Sequence, residues 1–191
     1  MIILGVDPGT LLTGFGIIEV ERGKYSVLTY NVVKNSGNDS MPIRLKRIYD
    51  HLCEIINHYH PDEFAIETAF YGKNAQSALK IGLARGVSIL AAVNYEIPTT
   101  EYSPREVKKA VTGNGAASKH QVQFMVQSQL KLREAPKYFD ASDALAVALC
   151  HSFRIADGKA TFRRTSRTAS KTHRSWSDFI HSHPERVVRK K

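Results

Sequence analysis

The 191-residue chain has few cysteines, no long apolar run and no nucleotide-binding glycine loop. Its two cysteines, Cys53 and Cys150, each lie in an apolar, helix-like stretch, so a disulfide framework is excluded and a reducing cytoplasm is expected. The apolar runs are too short for a bilayer span, and the start of the chain lacks the basic residues of a signal peptide. No membrane association is therefore expected. The absence of a Gly-x-x-x-x-Gly-Lys-Ser/Thr motif excludes a P-loop motor.

Acidic residues are also scarce, because 27 Lys and Arg stand against 18 Asp and Glu, which gives a net charge of +9. Residues 156–191 hold ten basic and three acidic residues, whereas residues 1–155 have a net charge of only +2. A basic balance favours a polyanionic partner such as nucleic acid. The segment 156–191 is rich in Thr, Ser and Arg and poor in apolar residues. The sequence therefore predicts a folded domain over 1–155 and a flexible basic tail over 156–191. The tail's function stays open between non-specific contact with nucleic acid and a solvated extension.

The pattern of the first 155 residues predicts an α/β fold. Three β-type stretches separated by short turns favour an antiparallel meander. An amphipathic helix follows from Pro42 and ends at Pro61. Two further short strands alternate with helices, and the predicted elements end with a helix over 138–155 that is apolar nearly all round. The order βββ-α-β-α-β-α-α-α predicts a mixed five-stranded sheet flanked by helices.

Four acidic residues occupy places where a structural role explains them poorly. Asp7 and Glu67 end two apolar strands, while Asp140 and Asp143 lie three residues apart at the start of the last helix. If the two strands are parallel neighbours, Asp7 and Glu67 meet at the carboxyl edge of the sheet, where open α/β sheets place their sites. The last helix can bring the other two acids to the same point.

Converging carboxylates repel one another unless a cation neutralises them. Mg²⁺ prefers such oxygen ligands, and two such ions can stabilise both the attacking and the leaving oxygen in phosphodiester hydrolysis. Alternatively, Asp140 and Asp143 serve only the N-terminus of their helix, where acids are stabilised by the helix dipole. The four acids taken together favour a metal site.

Three segments carry a family resemblance. These are Ile3-Leu-Gly-Val-Asp7-Pro-Gly-Thr with Thr13-Gly-Phe-Gly, then Phe64-Ala-Ile-Glu67-Thr-Ala-Phe70 with Lys73-Asn74-Ala75-Gln-Ser-Ala-Leu-Lys80, and finally Asp140-Ala-Ser-Asp143-Ala-Leu-Ala. Glu101-Tyr102, Val107-Lys108 and Gly113-Asn-Gly-Ala-Ala-Ser-Lys119 also match between them. In these motifs the sequence resembles the bacterial RuvC Holliday-junction resolvases of the ribonuclease H-like superfamily, over residues 1 to 152.

The resemblance implies a ribonuclease H-like sheet whose last two strands run parallel to the first. It implies that Asp7, Glu67, Asp140 and Asp143 are catalytic acids that bind two Mg²⁺ ions per subunit, with Mn²⁺ as a substitute. It also implies a cytoplasmic homodimer that nicks symmetry-related strands of four-way junction DNA during recombination and repair, and RuvA and RuvB as branch-migration partners.

Six further residues are expected to contact DNA because of the resemblance. Lys108 and Lys119 match basic residues placed near the scissile phosphate, although a single lysine is ordinarily a solvated surface residue. Phe70 matches an aromatic that stacks on bases of the opened junction, and a packed loop aromatic is its alternative. Tyr71, Lys73 and Asn74 are its candidate companions, and helix capping explains Asn74 equally well.

Three other functions compete with junction cleavage. Another ribonuclease H-like nuclease, acting on RNA–DNA hybrids or in transposition, shares the fold and is disfavoured by the two lysines and Phe70. An actin-like phosphotransferase needs a second similar domain, which 191 residues cannot supply. A non-catalytic binding protein is disfavoured because the four acids would repel a phosphate ligand.

Overall fold

A five-stranded mixed sheet forms the centre of the computed structural model, which describes residues 1–68 and 75–158. The strand order is β3-β2-β1-β4-β5, and helices lie on both faces. This confirms the predicted fold class. The strands are β1 (Ile2–Asp7), β2 (Leu12–Glu21), β3 (Lys24–Lys34), β4 (Glu63–Glu67) and β5 (Thr99–Tyr102). The helices are α1 (Met41–Tyr59), α2 (Ala75–Asn94), α3 (Pro104–Thr112), α4 (Lys119–Gln129) and α5 (Phe139–Ala156).

The first three strands form the expected antiparallel meander. A two-residue turn joins β2 to β3, and both of its residues, Arg22 and Gly23, have positive φ (50° and 77°). Such turns match the right-handed twist of the two flanking strands. In β1 the four central residues are buried on both faces, as the uninterrupted apolar run predicts.

The fourth and fifth strands run parallel to the first. Ile3 to Val6 of β1 pair with Glu63 to Ile66 of β4, and β4 pairs in parallel with β5. Because parallel neighbours end at the same edge, this register places Asp7 beside Glu67. The predicted site requires the strands of Asp7 and Glu67 to be parallel neighbours, and the sheet has this arrangement.

The helices begin and end at recognisable signals. A capping box starts α3, in which the Ser103 hydroxyl accepts from the Glu106 amide and the Glu106 carboxylate accepts from the Ser103 amide. Ser118 and Gln121 form the same arrangement at the start of α4. α1 ends at His60, which adopts the left-handed conformation (φ 47°) just before Pro61. The capping of α4 matters for the site, because its first residue is Lys119.

Two apolar cores sandwich the sheet. One lies between the sheet and α3, α4 and α5, and the other lies between the sheet and α1 and α2. In α5, 11 of 18 residues are buried, which confirms that its apolar pattern belongs to a core helix.

α5 lies directly on the backbone of β1 and β2. A Cβ at Gly5 would lie 2.2 Å from the carbonyl oxygen of Ala144, and a Cβ at Gly14 would lie 1.9 Å from that of Asp140. Only glycine permits this approach. The helix that carries two of the four acids is therefore held against the strand that carries the first.

Helix α2 is longer and more apolar than expected from a sequence whose apolar runs are too short to span a bilayer. It has 20 residues, and within the described part of the chain it alone meets the length and hydropathy criteria for a membrane span, with a mean hydropathy of 1.2. Its leucine, isoleucine and valine side chains keep that mean high. Ala84, Ser88, Ala91 and Ala92 are buried, and Arg85 is ion-paired with Glu101 of β5. α2 is thus a surface helix of the domain with one face packed on the core.

The predicted boundary at residue 155 falls at the end of α5. Residues 159–191, which make up most of the predicted tail, lie outside the described residues. The division into a domain and a tail stays a prediction.

Candidate active site

The four predicted acids come from three elements that meet at the carboxyl edge of β1 and β4. Asp7 is the last residue of β1 and Glu67 is the last residue of β4. Asp140 and Asp143 lie in the first turns of α5, and the carbonyl oxygen of Asp140 lies over Gly14, the residue paired with Asp7 across the sheet. Residues far apart in sequence are thereby brought to one place.

The pKa values of Asp7, Glu67 and Asp143 are raised first by burial and then by neighbouring acids. Burial raises the pKa of Asp7 well above its ordinary value, and the charges of Glu67, Asp143 and Asp140 raise it further. Burial and then Asp143 raise the pKa of Glu67 to about 7. Burial also raises the pKa of Asp143. Perturbation by burial together with like charges is typical of functional sites.

Two lysines supply positive charge to the cluster. The Lys119 ammonium lies 3.3 Å from Oδ2 of Asp143, and its charge lowers the pKa values of Asp7, Glu67 and Asp143. Partial burial lowers the pKa of Lys119, but Asp143 and the other acids more than compensate, so its pKa is raised. Lys108 of α3 also lowers the pKa values of Glu67 and Asp143. The structure thus brings both predicted lysines to the acids.

The chemistry of the donors fits a hard divalent cation, because all four side chains offer only oxygen ligands. Within residues 1–68 and 75–158, however, no three His, Cys, Asp or Glu side chains are grouped closely enough to hold an ion as they stand. Like charges keep carboxylates apart, and a cation offsets that repulsion. The backbone thus places the four residues at one edge of the sheet, while their side chains remain too far apart to coordinate one ion together.

The turn between β1 and β2 borders the acids and is held by side chains that sequence reasoning missed. The Thr13 hydroxyl donates to the Gly9 carbonyl at 2.6 Å, and the Asn35 amide donates to the Thr10 carbonyl at 3.0 Å. Arg47 donates in turn to Asn35 at 2.8 Å. An open cavity of about 360 Å³ lies beside this turn and reaches Asp140. In the sequence, the polar residues Thr13, Asn35 and Arg47 could have indicated that this turn is held by side-chain hydrogen bonds.

Four of the predicted DNA contacts cannot be placed. Phe70, Tyr71, Lys73 and Asn74 lie in residues 69–74, outside the described residues. The described chain stops at Thr68, next to Glu67, and resumes at Ala75. Their expected contacts with DNA stay predictions.

Comparison with known proteins is consistent with this geometry. The family described as "Crossover junction endodeoxyribonuclease RuvC" matches residues 3–151. A crossover junction endodeoxyribonuclease RuvC from Chloroherpeton thalassium is 46% identical over 190 residues, which is 99% of this chain and 100% of that protein. The chain belongs to the RuvC family. It is therefore a crossover junction endodeoxyribonuclease, a phosphodiester hydrolase, and the predicted function is confirmed.

Solved RuvC structures share the fold. The Thermus thermophilus RuvC in complex with Holliday junction substrate matches with a TM-score of 0.79 and 35% identity, covering 83% of this chain and 97% of that one. The yeast mitochondrial resolvase Ydc2 matches with a TM-score of 0.56 and 12% identity, which is a likeness of fold alone. Membership of the RuvC family also implies dependence on a metal ion.

Sequence reasoning also missed a second group of buried polar residues. Glu63, Tyr102 and His151 are almost fully buried, and His151 is hydrogen-bonded to both of the others. The signal was present as a histidine in the apolar pattern of α5 and an acid at the start of an apolar strand.

Proposed function

We propose that this chain resolves four-way DNA junctions by paired symmetric nicks, with Asp7, Glu67, Asp140 and Asp143 as the catalytic acids and Mg²⁺ as the metal. The observation that carries the proposal is the meeting of four carboxylates from β1, β4 and α5 at one edge of the sheet, with Lys119 against them. A cluster of this kind holds divalent cations and repels a bare phosphate.

Two bound Mg²⁺ ions per subunit would supply an activated water and neutralise charge on the phosphate, and Mn²⁺ would substitute for them. The four carboxylates hold the ions and must be ionised to do so. Lys119 offsets part of the acidic charge, and its ammonium is placed to donate to a phosphate oxygen once Asp143 turns towards a metal. Lys108 of α3 supplies a second positive charge, which acts on Glu67 and Asp143.

The substrate contacts extend beyond the acids. Lys108 and Lys119 are proposed to hold the scissile strand through its phosphates. The segment that follows Glu67 is proposed to reach the opened junction, with Phe70 stacking on a base and Tyr71, Lys73 and Asn74 contacting neighbouring bases or phosphates.

A homodimer is proposed to present two such sites to one junction. On α2 the large side chains Leu79, Leu83, Leu90 and Val93 are 40–66% exposed. With Gly86 they occupy positions 4, 3, 4 and 3 residues apart, the spacing of a helix–helix seam. Nothing lies within 4 Å of a Cβ placed at Gly86, so a second copy of α2 can approach closely there. The seam supports α2 as the dimer contact.

If α2 forms the dimer contact, introducing negative charge into its apolar seam should prevent dimerisation. Leu83→Asp with Leu90→Asp should convert the dimer into folded monomers, because burying two carboxylates in an apolar seam is costly. Light scattering after size exclusion measures the mass, and circular dichroism verifies the fold. Glu96→Gln, outside the seam, is the control and should stay dimeric. A double variant that remains dimeric would place the interface elsewhere.

The catalytic assignment is tested by Asp7→Asn on a mobile synthetic junction. The variant keeps the size of the side chain and should bind the junction as the wild type does. Its nicking rate should fall by at least about 100-fold, because the site then lacks one metal ligand. Wild-type protein with Mg²⁺ should give paired, symmetric cuts, and none in EDTA. Substantial Mg²⁺-dependent cleavage by Asp7→Asn would refute the assignment.

We also propose a cytoplasmic location and RuvA and RuvB as functional partners. Cys53 and Cys150 are both free thiols, as a reducing compartment requires. The absence of a P-loop motif leaves branch migration to other proteins. No membrane partner is proposed, because Lys80 and Arg85 interrupt α2 and its other face is packed on the core.

A further inference from the structure

Three buried polar side chains form a hydrogen-bonded chain between β4, β5 and α5. The Tyr102 hydroxyl lies 2.8 Å from Nδ1 of His151, and Nε2 of His151 lies 3.3 Å from Oε2 of Glu63. All three residues are at most 4% exposed. Buried polar groups cost free energy unless they are paired, so the position of each of them depends on the others.

The protonation state of His151 determines which groups donate and which accept in these hydrogen bonds. Burial lowers the pKa of His151 to about 4, so its ring is neutral at pH 7. A neutral ring has one donor and one acceptor nitrogen. All three groups are satisfied when the Tyr102 hydroxyl donates to Nδ1 and Nε2–H donates to Glu63, a tautomer assigned from these contacts. Burial and then Asp62 raise the pKa of Glu63, so the ionised form of its carboxylate depends on that donor.

The spacing of these residues matches the spacing of the acids. On β4, Glu63 precedes Glu67 by four residues, or about 13 Å of strand. On α5, His151 follows Asp143 by eight residues, or about 12 Å of helix. Asp143 acts on Glu67 at one end of this pair of elements, and His151 contacts Glu63 at the other. The two contacts therefore require the same register of α5 on β4.

The contact of α5 with the middle of β1 adds little to fix that register. Where α5 lies on β1, the helix presents Ala144 and Ala148 to Gly5. Contacts between such small groups have no direction and few protrusions. A shift of one residue along the helix moves a side chain by about 1.5 Å and turns it by about 100°. Such a shift would break both hydrogen bonds of His151.

Tyr102 links the hydrogen-bonded side chains to the C-terminal end of β4, where Glu67 lies. Its backbone carbonyl accepts from the amide of Thr68, the residue after Glu67, at 2.8 Å. Tyr102 is also paired with Glu67 in the sheet. Through its hydroxyl and its carbonyl, Tyr102 thus joins His151 to the strand end that carries Glu67.

We propose that Glu63, His151 and Tyr102 are positioning residues that fix the register of α5 on β4 and so set the distances from Glu67 to Asp140 and Asp143. The hydrogen-bonded chain touches neither metal nor DNA, and it acts only through α5 and β4. This inference rests on the proposed metal site, whose acids it aligns.

The test measures Mg²⁺ affinity without DNA, from the rise in the unfolding temperature of the full-length protein as Mg²⁺ is added. His151→Leu should bind Mg²⁺ about tenfold more weakly or worse, as residues that orient metal ligands do. His151→Gln restores a donor near Nε2 and should recover part of the affinity. Tyr102→Phe removes one hydroxyl and keeps the ring, so it provides a mild variant that folds. Junction binding in EDTA should stay at the wild-type level in all three.

Val147→Ala is the matched control, because Val147 is fully buried on α5 and apolar. It should lower the unfolding temperature but leave Mg²⁺ affinity unchanged. If Val147→Ala weakens Mg²⁺ binding as much as His151→Leu does, or if His151→Leu and Tyr102→Phe bind Mg²⁺ like the wild type, the positioning role is wrong and the metal site stands. If the wild type itself is not stabilised by Mg²⁺ and Asp7→Asn makes no difference, the proposed metal site fails, and the positioning role fails with it.

Discussion

At the scale of single residues, the environment of each acid decides its protonation. Asp7 and Glu67 are chemically ordinary, yet burial and neighbouring acids raise both pKa values. The Lys119 ammonium, 3.3 Å from Asp143, opposes this effect. The repulsion between the acids would favour cation binding at the proposed site, because each added positive charge relieves several repulsions.

Glu67 gives a prediction about stability and pH. Its pKa is raised from 4.5 to about 7, so the folded state retains a proton that the unfolded state has lost. Stability from this group is complete below about pH 4.5 and disappears as the pH rises through about 7. Glu67→Gln, which mimics the protonated acid, should therefore match the wild type near pH 4 and be more stable at pH 8, by up to about 3 kcal/mol.

Urea unfolding in EDTA at several pH values measures this difference. Taking the difference between the wild type and Glu67→Gln removes the contributions of groups that titrate in both proteins. With saturating Mg²⁺ the sign should reverse at pH 8, because only the wild type keeps all four ligands. Equal stability of the two proteins at every pH in EDTA would contradict the raised pKa.

At the scale of secondary-structure elements, the contact of α5 with β2 decides whether the site closes. Gly14 is paired with Asp7 across the sheet and lies under Asp140. Gly14→Ala would place a Cβ 1.9 Å from the Asp140 carbonyl oxygen, so the start of α5 must move away. The free energy of unfolding should fall by about 2 kcal/mol or more, and nicking should fall with it.

Gly37→Ala provides the comparison, since nothing lies within 4 Å of a Cβ placed there. This change should alter stability by no more than about 0.5 kcal/mol and leave nicking intact. Denaturant unfolding and single-turnover nicking measure both variants. Full nicking by Gly14→Ala would show that α5 tolerates displacement.

Much of the architecture could be predicted because strong local signals agree with the fold. The uninterrupted apolar run of β1 predicts a buried strand. Ser103-Pro104 and Ser118 are helix-start signals in the sequence, and α3 and α4 begin there. Element boundaries were harder to predict: the sequence from Ile97 to Tyr102 favours a strand, but β5 begins at Thr99, because the amide of Ile97 donates to the Ala92 carbonyl at the end of α2.

Non-local contacts were beyond sequence reasoning. The chain from Glu63 through His151 joins residues 88 apart in sequence, and neither residue belongs to a motif. The sequence also did not predict that the leucines of the α2 seam are exposed, because a helix rich in Ala and Leu is typical of a protein core. The meeting of the acids was foreseen only because parallel strands share an edge. Their roles in catalysis stay predictions.

At the scale of the whole molecule, the position of the charge gives a prediction about affinity. Residues 159–191 carry ten of the 27 basic residues, and the proposed site lies wholly within residues 1–158. The two proposed Mg²⁺ ions would add four positive charges to each folded domain, and the proposed dimer would double that number. A protein truncated after Gly158, which keeps α5 whole, should therefore still bind junctions, though more weakly.

Fluorescence anisotropy against salt concentration measures the effect, with the full-length protein in the same salt series as the reference. The slope of log K against log salt should become shallower by about 0.9 for each phosphate that residues 159–191 neutralise in the full-length protein. An unchanged slope would mean that those residues make no phosphate contacts. Complete loss of junction affinity would show that they supply the main DNA contacts.

The position of α5 in the chain has a consequence for synthesis. α5 is the last of the described elements, and it carries Asp140 and Asp143. Proteins emerge from the ribosome from the N-terminus, so β1 to β4 are made before the helix that completes the site. A partly made chain holds Asp7 and Glu67 but lacks the other two acids. If the four acids act together as proposed, the order of translation keeps the nuclease inactive until the domain is complete, and an aborted product that ends before α5 should not cut the cell's DNA.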